Sequence, residues 1–397
     1  MAKLLGIGLG VGAAVYGYRY FVDIGKRLTE DQHVVIVGGG YGGARLANKL
    51  KGRGSFTLID QRDALHHNMA ALRAAVEPGF AKKTFIFYEP TFGANFLQGK
   101  VVDIDTTNKQ VSLEEGKEPI NYTQLVLATG SSGPFPGKCR LDMSTQSLMK
   151  MYNDFTDEIK QAKNIVIVGG GAVGVEMAGE IIGDYPEGKK MTIVHNGDTL
   201  VSSLLEPEAR TKIQEKLKER KIEVMYGETV SNLADIPVLK TSDNIVVKTS
   251  SGKEIVADLV IPCYGLKINT DAYKSSLADS MNARGQLKVD KNLQVVGTED
   301  IFAIGDCSDT DVCKLALQAQ AQADQMYENL INIAKGKPLE PFVPGTFRMV
   351  VPIGRDGGVA QNGKKVFGDF LAKMIKAKDV FVKIIWKEMS QPVPKDK

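Results

Sequence analysis

The chain carries the same glycine-rich turn twice, framed in the same way each time. His33-Val34-Val35-Ile36-Val37 runs into Gly38-Gly39-Gly40-Tyr41-Gly42-Gly43. Asn164-Ile165-Val166-Ile167-Val168 runs into Gly169-Gly170-Gly171-Ala172-Val173-Gly174. Each is a short apolar strand, then G-x-G-x-x-G, then a helix-forming stretch. The first glycine of such a motif permits a tight turn, the second lets backbone approach a pyrophosphate, and the third lets helix and strand pack closely. The helix N-terminus adds aligned N–H groups and partial positive charge. One such turn is a weak signal. Two, each in strand-turn-helix context, point to two dinucleotides held by one chain. The natural pair is a flavin dinucleotide and a nicotinamide dinucleotide, so electron transfer is the expected chemistry.

The surroundings of the turns sharpen this. Phe56-Thr57-Leu58-Ile59-Asp60 is a strand closed by an acid 20 residues past Gly40, where a carboxylate can accept hydrogen bonds from ribose hydroxyls. Leu125-Val126-Leu127 is a further buried strand, ending at Ala128-Thr129-Gly130. Ile301-Phe302-Ala303-Ile304 ends at Gly305-Asp306, and a helix over about 315–334 follows. Asp306 is thereby placed to bind the ribityl or pyrophosphate region of a flavin, and the helix after it aims its N-terminus at the flavin N1/C2 carbonyl. The sheet of the first unit is thus interrupted by the second unit and completed after it.

The expected fold is α/β, with two nested Rossmann-like dinucleotide-binding domains. FAD is assigned to residues 30–150 and 265–335, and NAD(P)H to 151–264, with a C-terminal region over 336–397. Gly38, Gly40, Gly43, Asp60, Ala128, Thr129, Gly130 and Asp306 are the candidate FAD ligands; Gly169, Gly171, Gly174 and His195 belong to the nicotinamide side. His195 closes the strand Met191-Thr192-Ile193-Val194, where an NAD-specific enzyme would often place Asp or Glu. With no carboxylate to repel a 2′-phosphate and no adjacent arginine to clamp it, use of both NADH and NADPH is expected.

Charge and cysteines exclude other classes. The 50 basic and 47 acidic side chains leave a net +3 with no dense basic run in the body of the chain, a poor footprint for nucleic acid. The four cysteines, Cys139, Cys263, Cys307 and Cys313, form no C-x-x-C or C-x-x-x-x-C pair. A flavin disulfide reductase needs two such closely spaced thiols. The spacing also argues against iron–sulfur or structural zinc, and no metal site is expected.

Both ends carry membrane-seeking character. Leu4–Tyr18 holds no charged residue, Lys3 precedes it, and Arg19, Lys26 and Arg27 follow. With Tyr16, Tyr18 and Tyr20 suited to an interface, residues 1–28 are expected to anchor the chain to a membrane, a cleaved targeting peptide and a disordered or packed tail being the alternatives. Ala2 excludes N-myristoylation. Near the other end Phe367, Phe370, Leu371, Met374 and Ile375 recur with helical spacing, interleaved with lysines. That stripe suits either an anionic membrane surface or a core-packed helix and strand with solvated lysines.

Taken together these marks resemble the two-dinucleotide-binding-domain flavoprotein superfamily. Further segments narrow the likeness: His66-His67-Asn68-Met69-Ala70-Ala71-Leu72-Arg73-Ala74, Gly79-Phe80-Ala81-Lys82-Lys83-Thr84, Thr129-Gly130-Ser131-Ser132-Gly133-Pro134-Phe135-Pro136-Gly137-Lys138 and Gly174-Val175-Glu176-Met177-Ala178. They are similar to the ferroptosis suppressor family, the type 2 mitochondria-associated homologues of apoptosis-inducing factor, from about residue 33 to the C-terminus. The resemblance implies an FAD-bound NAD(P)H:quinone oxidoreductase that reduces coenzyme Q, and vitamin K, to radical-trapping quinols at membranes facing the cytosol. Lipid droplet, mitochondrial outer membrane and plasma membrane stay open as destinations, as does a homodimer. It also implies that Glu176 lies near the nicotinamide, and that Lys376 and Phe381 stand where the family keeps a C-terminal active-site lysine and aromatic. His66 and His67 are candidates to flank the flavin and donate a proton or hydrogen bond to quinone oxygen, with His67 preferred. Gln318, Gln320 and Gln322 resemble the glutamine-bearing quinone motif of type II NADH dehydrogenases, in a different register. The vertebrate family begins Met-Gly and is myristoylated; this chain begins Met-Ala with a longer apolar leader.

Two rival classes carry their own signatures. A reductase for a protein acceptor would show a complementary docking face rather than membrane-seeking ends. A redox-sensing cell-death factor that binds DNA would need a basic patch.

Overall fold

The computed structural model describes residues 26–310 and 312–395, and the side chain of residue 115 is outside the description. The expected anchor over 1–28 lies almost wholly outside the described residues. Among those described, no helix is long and apolar enough to cross a membrane.

Contacts divide the chain into two units. The first holds residues up to Asp60, then Phe92–Gly130 and Thr270–Val343. Its centre is a five-stranded sheet in the order Ile301–Ala303, Gln124–Leu127, His33–Val37, Ser55–Asp60, Phe96–Gln98. Every pairing in it is parallel. A parallel sheet covered on both faces wants near-continuous apolar strands, and Val34, Val35, Ile36, Leu58, Leu125, Val126 and Leu127 are all fully buried. Helix Tyr41–Leu50 lies against helix Ala316–Ala334, and small residues let them come close. A Cβ on Gly42 would stand 3.3 Å from the carbonyl oxygen of Ala319. The last strand, Ile301–Ala303, pairs with Gln124–Leu127 far across the sequence, which bears out the nested α/β reading.

The second unit holds Gln61–Thr91, Ser131–Asn269 and Pro344–Lys397. Its parallel sheet runs Ile222–Tyr226, Lys190–His195, Asn164–Val168, Leu259–Pro262. Hairpin strands Ile245–Lys248 and Glu254–Ala257 supply Ile245, Val247 and Ala257 to the core formed with Val166, Val168, Val194 and Val260. Helix Ala172–Asp184 is buried without a break from Gly174 to Ile181, so it is enclosed on all sides. One side meets the turn after strand Arg348–Pro352: a Cβ on Gly179 would stand 2.6 Å from the Cα of Ile353. Arg355 on that turn grips Asp184 with two bonds of 2.6 Å and Glu77 with one of 2.7 Å.

The C-terminal stripe folds differently from the continuous helix its spacing predicts. Phe367 ends a strand, Lys365–Phe367. A single α-turn, Asp369–Ala372, passes into a π-turn over Lys373–Ala377, and an α-helix restarts at Val382–Glu388. The extra residue in the π-turn rotates the residues after it about the helix axis. Lys376 is buried on the same side as Ala372 and Ala377, while Phe370, Met374 and Ile375 of the predicted stripe face solvent, Phe370 being 82% exposed.

Candidate active site

In the first unit the three fingerprint glycines have three different reasons. Gly38 sits at φ +105°, and a Cβ there would lie 2.4 Å from the Ala128 carbonyl oxygen. A Cβ on Gly43 would lie 1.8 Å from the Gly38 carbonyl oxygen, which no side chain can do. A Cβ on Gly40 would meet no atom within 4 Å, so that face is open for a pyrophosphate. Gly40 also N-caps helix Tyr41–Leu50 with no side chain on the cap. Asp60 Oδ2 accepts a 2.6 Å hydrogen bond from Gly39 N–H, which fixes its carboxylate beside the turn.

Ala128 abuts Gly38, and Gly130 follows Thr129 at φ +65°. Asp306 stands in the short 3₁₀ turn Gly305–Cys307 after strand Ile301–Ala303. Of the three glutamines, Gln322 braces this turn: its Oε1 accepts from Gly305 N–H at 2.6 Å while its amide nitrogen donates to Thr310. Gln318, in the first turn of helix Ala316–Ala334, is buried with Oε1 lacking a hydrogen-bond partner. An orphaned buried amide oxygen and an open glycine face fit a polar ligand of the dinucleotide kind. Gln320 is half-buried on the same helix.

The second unit repeats the plan. Gly169 is at φ +111° with its missing Cβ 2.6 Å from the Cys263 carbonyl oxygen, and a Cβ on Gly174 would be 1.8 Å from the Gly169 carbonyl oxygen. Gly171 again opens onto space. His195 takes the place Asp60 has in the first unit. Its Nδ1 accepts from Gly170 N–H at 3.2 Å, and its Nε2–H donates to the Thr199 carbonyl at 2.9 Å. Both ring nitrogens are thus spent on the turn, and no carboxylate faces the ribose position from this residue.

The same unit holds a buried polar cluster along helix Ala172–Asp184. Glu176 Oε1 accepts from Lys376 Nζ at 2.7 Å, both residues being buried. One turn on, Glu180 chelates Arg73 with bonds of 2.8 and 3.0 Å. Arg73, 2% exposed, donates also to the carbonyls of Ala377 (2.7 Å) and Lys378 (3.1 Å). Burial pushes the Glu176 carboxyl above its ordinary range, and the Lys376 charge opposes that shift.

His67 is fully buried and donates through Nε2 to the Val380 carbonyl at 2.8 Å. Desolvation lowers it to about 4, so it is neutral at pH 7. His66 stacks on Phe85 at 4.8 Å, with Tyr152 Oη and Cys139 Sγ at 3.3 and 3.5 Å from its Nε2. Burial holds it well below its usual range too. The expected proton donor, His67, therefore has its Nε2 proton on a backbone carbonyl of the C-terminal segment. Phe381 follows Val380 as the second of two left-handed residues and is half-buried.

Arg73 and Glu180 were not among the residues singled out in the sequence. Their signal was available: charged side chains, one in Ala71-Leu72-Arg73-Ala74-Ala75-Val76 and two in Val175-Glu176-Met177-Ala178-Gly179-Glu180-Ile181, inside otherwise apolar small-residue runs. The cysteines are unpaired, and burial raises the Cys139 thiol to about 11 and Cys263 to about 12.

Comparison with known proteins agrees with this geometry. Residues 32–323 match the pyridine nucleotide-disulphide oxidoreductase family. Ferroptosis suppressor protein 1 of Taeniopygia guttata is 43% identical over 94% of this chain and all of its own length. The Homo sapiens protein of that name is 42% identical over 91% of this chain and 97% of its own. Among solved structures, the sulfide:quinone oxidoreductase of Aquifex aeolicus superposes with a TM-score of 0.71 at 18% identity, covering 92% of this chain and 93% of that one. With fold, both glycine turns and sequence in agreement, the chain belongs to the ferroptosis suppressor protein 1 family of pyridine nucleotide-disulphide oxidoreductases, whose cofactors are FAD and NAD(P)H.

Proposed function

We propose that this oxidoreductase passes electrons from NAD(P)H to a membrane quinone, coenzyme Q or vitamin K, and that the quinol traps lipid radicals and so suppresses ferroptosis. One observation carries the reading. The C-terminal segment buries Lys376 against Glu176 on the nicotinamide-side helix, while Phe370, Met374, Ile375 and Ile384 of the same segment stand exposed among Lys373, Lys378, Lys383 and Lys387. One short stretch thereby offers an apolar, basic face suited to an anionic bilayer, where a long-chain quinone resides. The names of the relatives, and of the sulfide:quinone oxidoreductase among the structural neighbours, support the same direction.

Bound FAD supplies a two-electron relay between nicotinamide and acceptor. The chain's own residues set the frame. Gly40 and Gly171 leave room for the two pyrophosphates, Asp60 and His195 tie down the turns, and the buried Glu176–Lys376 pair holds a fixed charge pattern on the nicotinamide side. The leader over 1–28 is a second membrane attachment in this reading, with the enzyme on the cytosolic face.

The direct test is oxidation of NADH and NADPH by the flavin-loaded protein with a short-chain soluble quinone, oxygen serving as control. Quinone-dependent turnover is expected with both nucleotides, and a flavin that is reduced but does not pass electrons to quinone would end the proposal. The membrane part has its own test. Burial of a large apolar side chain contributes roughly 1.5–3 kcal/mol, so Phe370→Glu with Ile384→Glu should lower turnover of a long-chain quinone in anionic vesicles by about 10- to 100-fold. The soluble quinone should be reduced at the unaltered rate, and equal losses on both substrates would place these residues in folding instead.

Nucleotide choice is set at His195. Aspartate at that position should hold Gly170 N–H as Asp60 holds Gly39 and add negative charge at the ribose. His195→Asp should therefore lower kcat/KM for NADPH relative to NADH by about 10-fold, equivalent to ~1.4 kcal/mol of repulsion. An unchanged ratio would remove His195 as a determinant.

A further inference from the structure

The segment that carries Lys376 and Phe381 is held in an unfavourable backbone conformation. Val380 and Phe381 lie at φ +46° and +63°. Left-handed backbone is rare for any side chain and a genuine outlier for a β-branched one. Just before them the π-turn gives Lys378 N–H a bond to the Lys373 carbonyl, and the helix restarts only at Val382. The carbonyls of Ala377 and Lys378 thus face a break in the helical ladder, and Arg73 supplies donors to both. His67 Nε2–H takes the Val380 carbonyl. Arg73 is itself oriented by two bonds to Glu180, which shares helix Ala172–Asp184 with Glu176, the partner of Lys376. One guanidinium fork therefore ties the end of the π-turn to the helix that carries Glu176. Local strain of this size persists only where the surroundings over-determine it.

We propose that Arg73, set by Glu180, is a positioning residue for the NAD(P)H reaction: it clamps the π-turn so that Lys376 meets Glu176 and Phe381 is presented in its left-handed turn. The inference rests on the reading that Lys376 serves the reaction. It does not depend on quinone being the acceptor, because the reductive half-reaction suffices to test it.

A lysine cannot replace this fork, since one ammonium does not span a carboxylate and two carbonyls with the same geometry. In Arg73→Lys, the rate of flavin reduction by NADH in single turnover should fall by about 100-fold, the scale of a 1 Å misplacement, with flavin content unchanged. The acid limb of the pH–rate profile should move to higher pH, because Glu176 loses its aligned counter-charge. Trp386 is the chain's one tryptophan and donates to the Lys83 carbonyl at 2.8 Å in the helix that follows Phe381. Its fluorescence should become more open to acrylamide.

A double-mutant cycle with Lys376→Met decides the matter. If Arg73 acts through Lys376, Arg73→Lys adds little to the loss already caused by Lys376→Met. Additive losses, or a flavin-loaded Arg73→Lys protein that is reduced at the wild-type rate, would overturn the clamp while leaving the role of Lys376 intact. A wild-type rate in Lys376→Met would instead refute the underlying reading, and the inference with it. Should Arg73→Lys fail to fold, Glu180→Gln carries the same test, since it keeps the guanidinium and loosens its orientation.

Discussion

Lys376→Met is expected to cost about 3–5 kcal/mol of stability and most of the reductase activity, because it leaves Glu176 buried without its counter-charge. The two side chains meet at 2.7 Å in a buried site, so no water replaces the lost ammonium cheaply. Glu176 will respond by holding a proton. Its carboxyl is already raised by desolvation in the native protein, and loss of Lys376 removes the first opposing charge. A raised folded-state carboxyl favours the folded chain below the unfolded value, and that advantage is lost as pH rises through the folded value. The variant should therefore unfold at lower denaturant at about pH 8 than at about pH 5, by a wider margin than the parent. Urea titrations at both pH values check this. Lys376→Met combined with Glu176→Gln should recover most of the stability and none of the activity. Recovery of both would reduce the pair to a packing device.

Gly43→Ala and Gly174→Ala should separate the two cofactors. Each Cβ would sit 1.8 Å from a carbonyl oxygen of its own turn, so helix and strand must part at that point. In the first unit the expected outcome is protein without bound flavin, read from its visible absorbance. In the second unit the flavin should stay, and its reduction by NADH or NADPH should fall by more than about 100-fold, since a parted turn no longer offers its amides to a pyrophosphate. Loss of flavin in both variants would mean that the units do not hold their cofactors separately. Retention of NADH affinity in Gly174→Ala would move the nicotinamide dinucleotide elsewhere.

The sequence-level readings divide according to the range of the forces behind them. The glycine turns were legible because their requirement is local. A φ above +100° with a carbonyl oxygen where a Cβ would go, as at Gly38 and Gly169, and an approach closer than any side chain allows, as at Gly43 and Gly174, admit one residue type whatever the rest of the chain does. The apolar strands beside them were legible because a parallel sheet buries both faces. Their recurrence on either side of the second unit already implied the nesting. The C-terminal stripe was misleading for the opposite reason. Helical spacing tells which residues share a face but not which face meets the core, and here Ala372, Lys376 and Ala377 are buried while Phe370 and Met374 of the apolar stripe are exposed.

By itself, then, the amino-acid order determined the fold class, the two dinucleotide turns and the absence of a carboxylate at position 195, all of which depend on backbone sterics and short-range periodicity. Only the tertiary structure decided which charges are taken out of water and with whom. Lys376 finds Glu176 across 200 residues, Arg73 finds Glu180 across 107, and His67 spends its proton on Val380 across 313. Such pairings carry no spacing rule. They exist because packing brings distant segments together in a medium where an unpaired charge or carbonyl is too costly to leave alone.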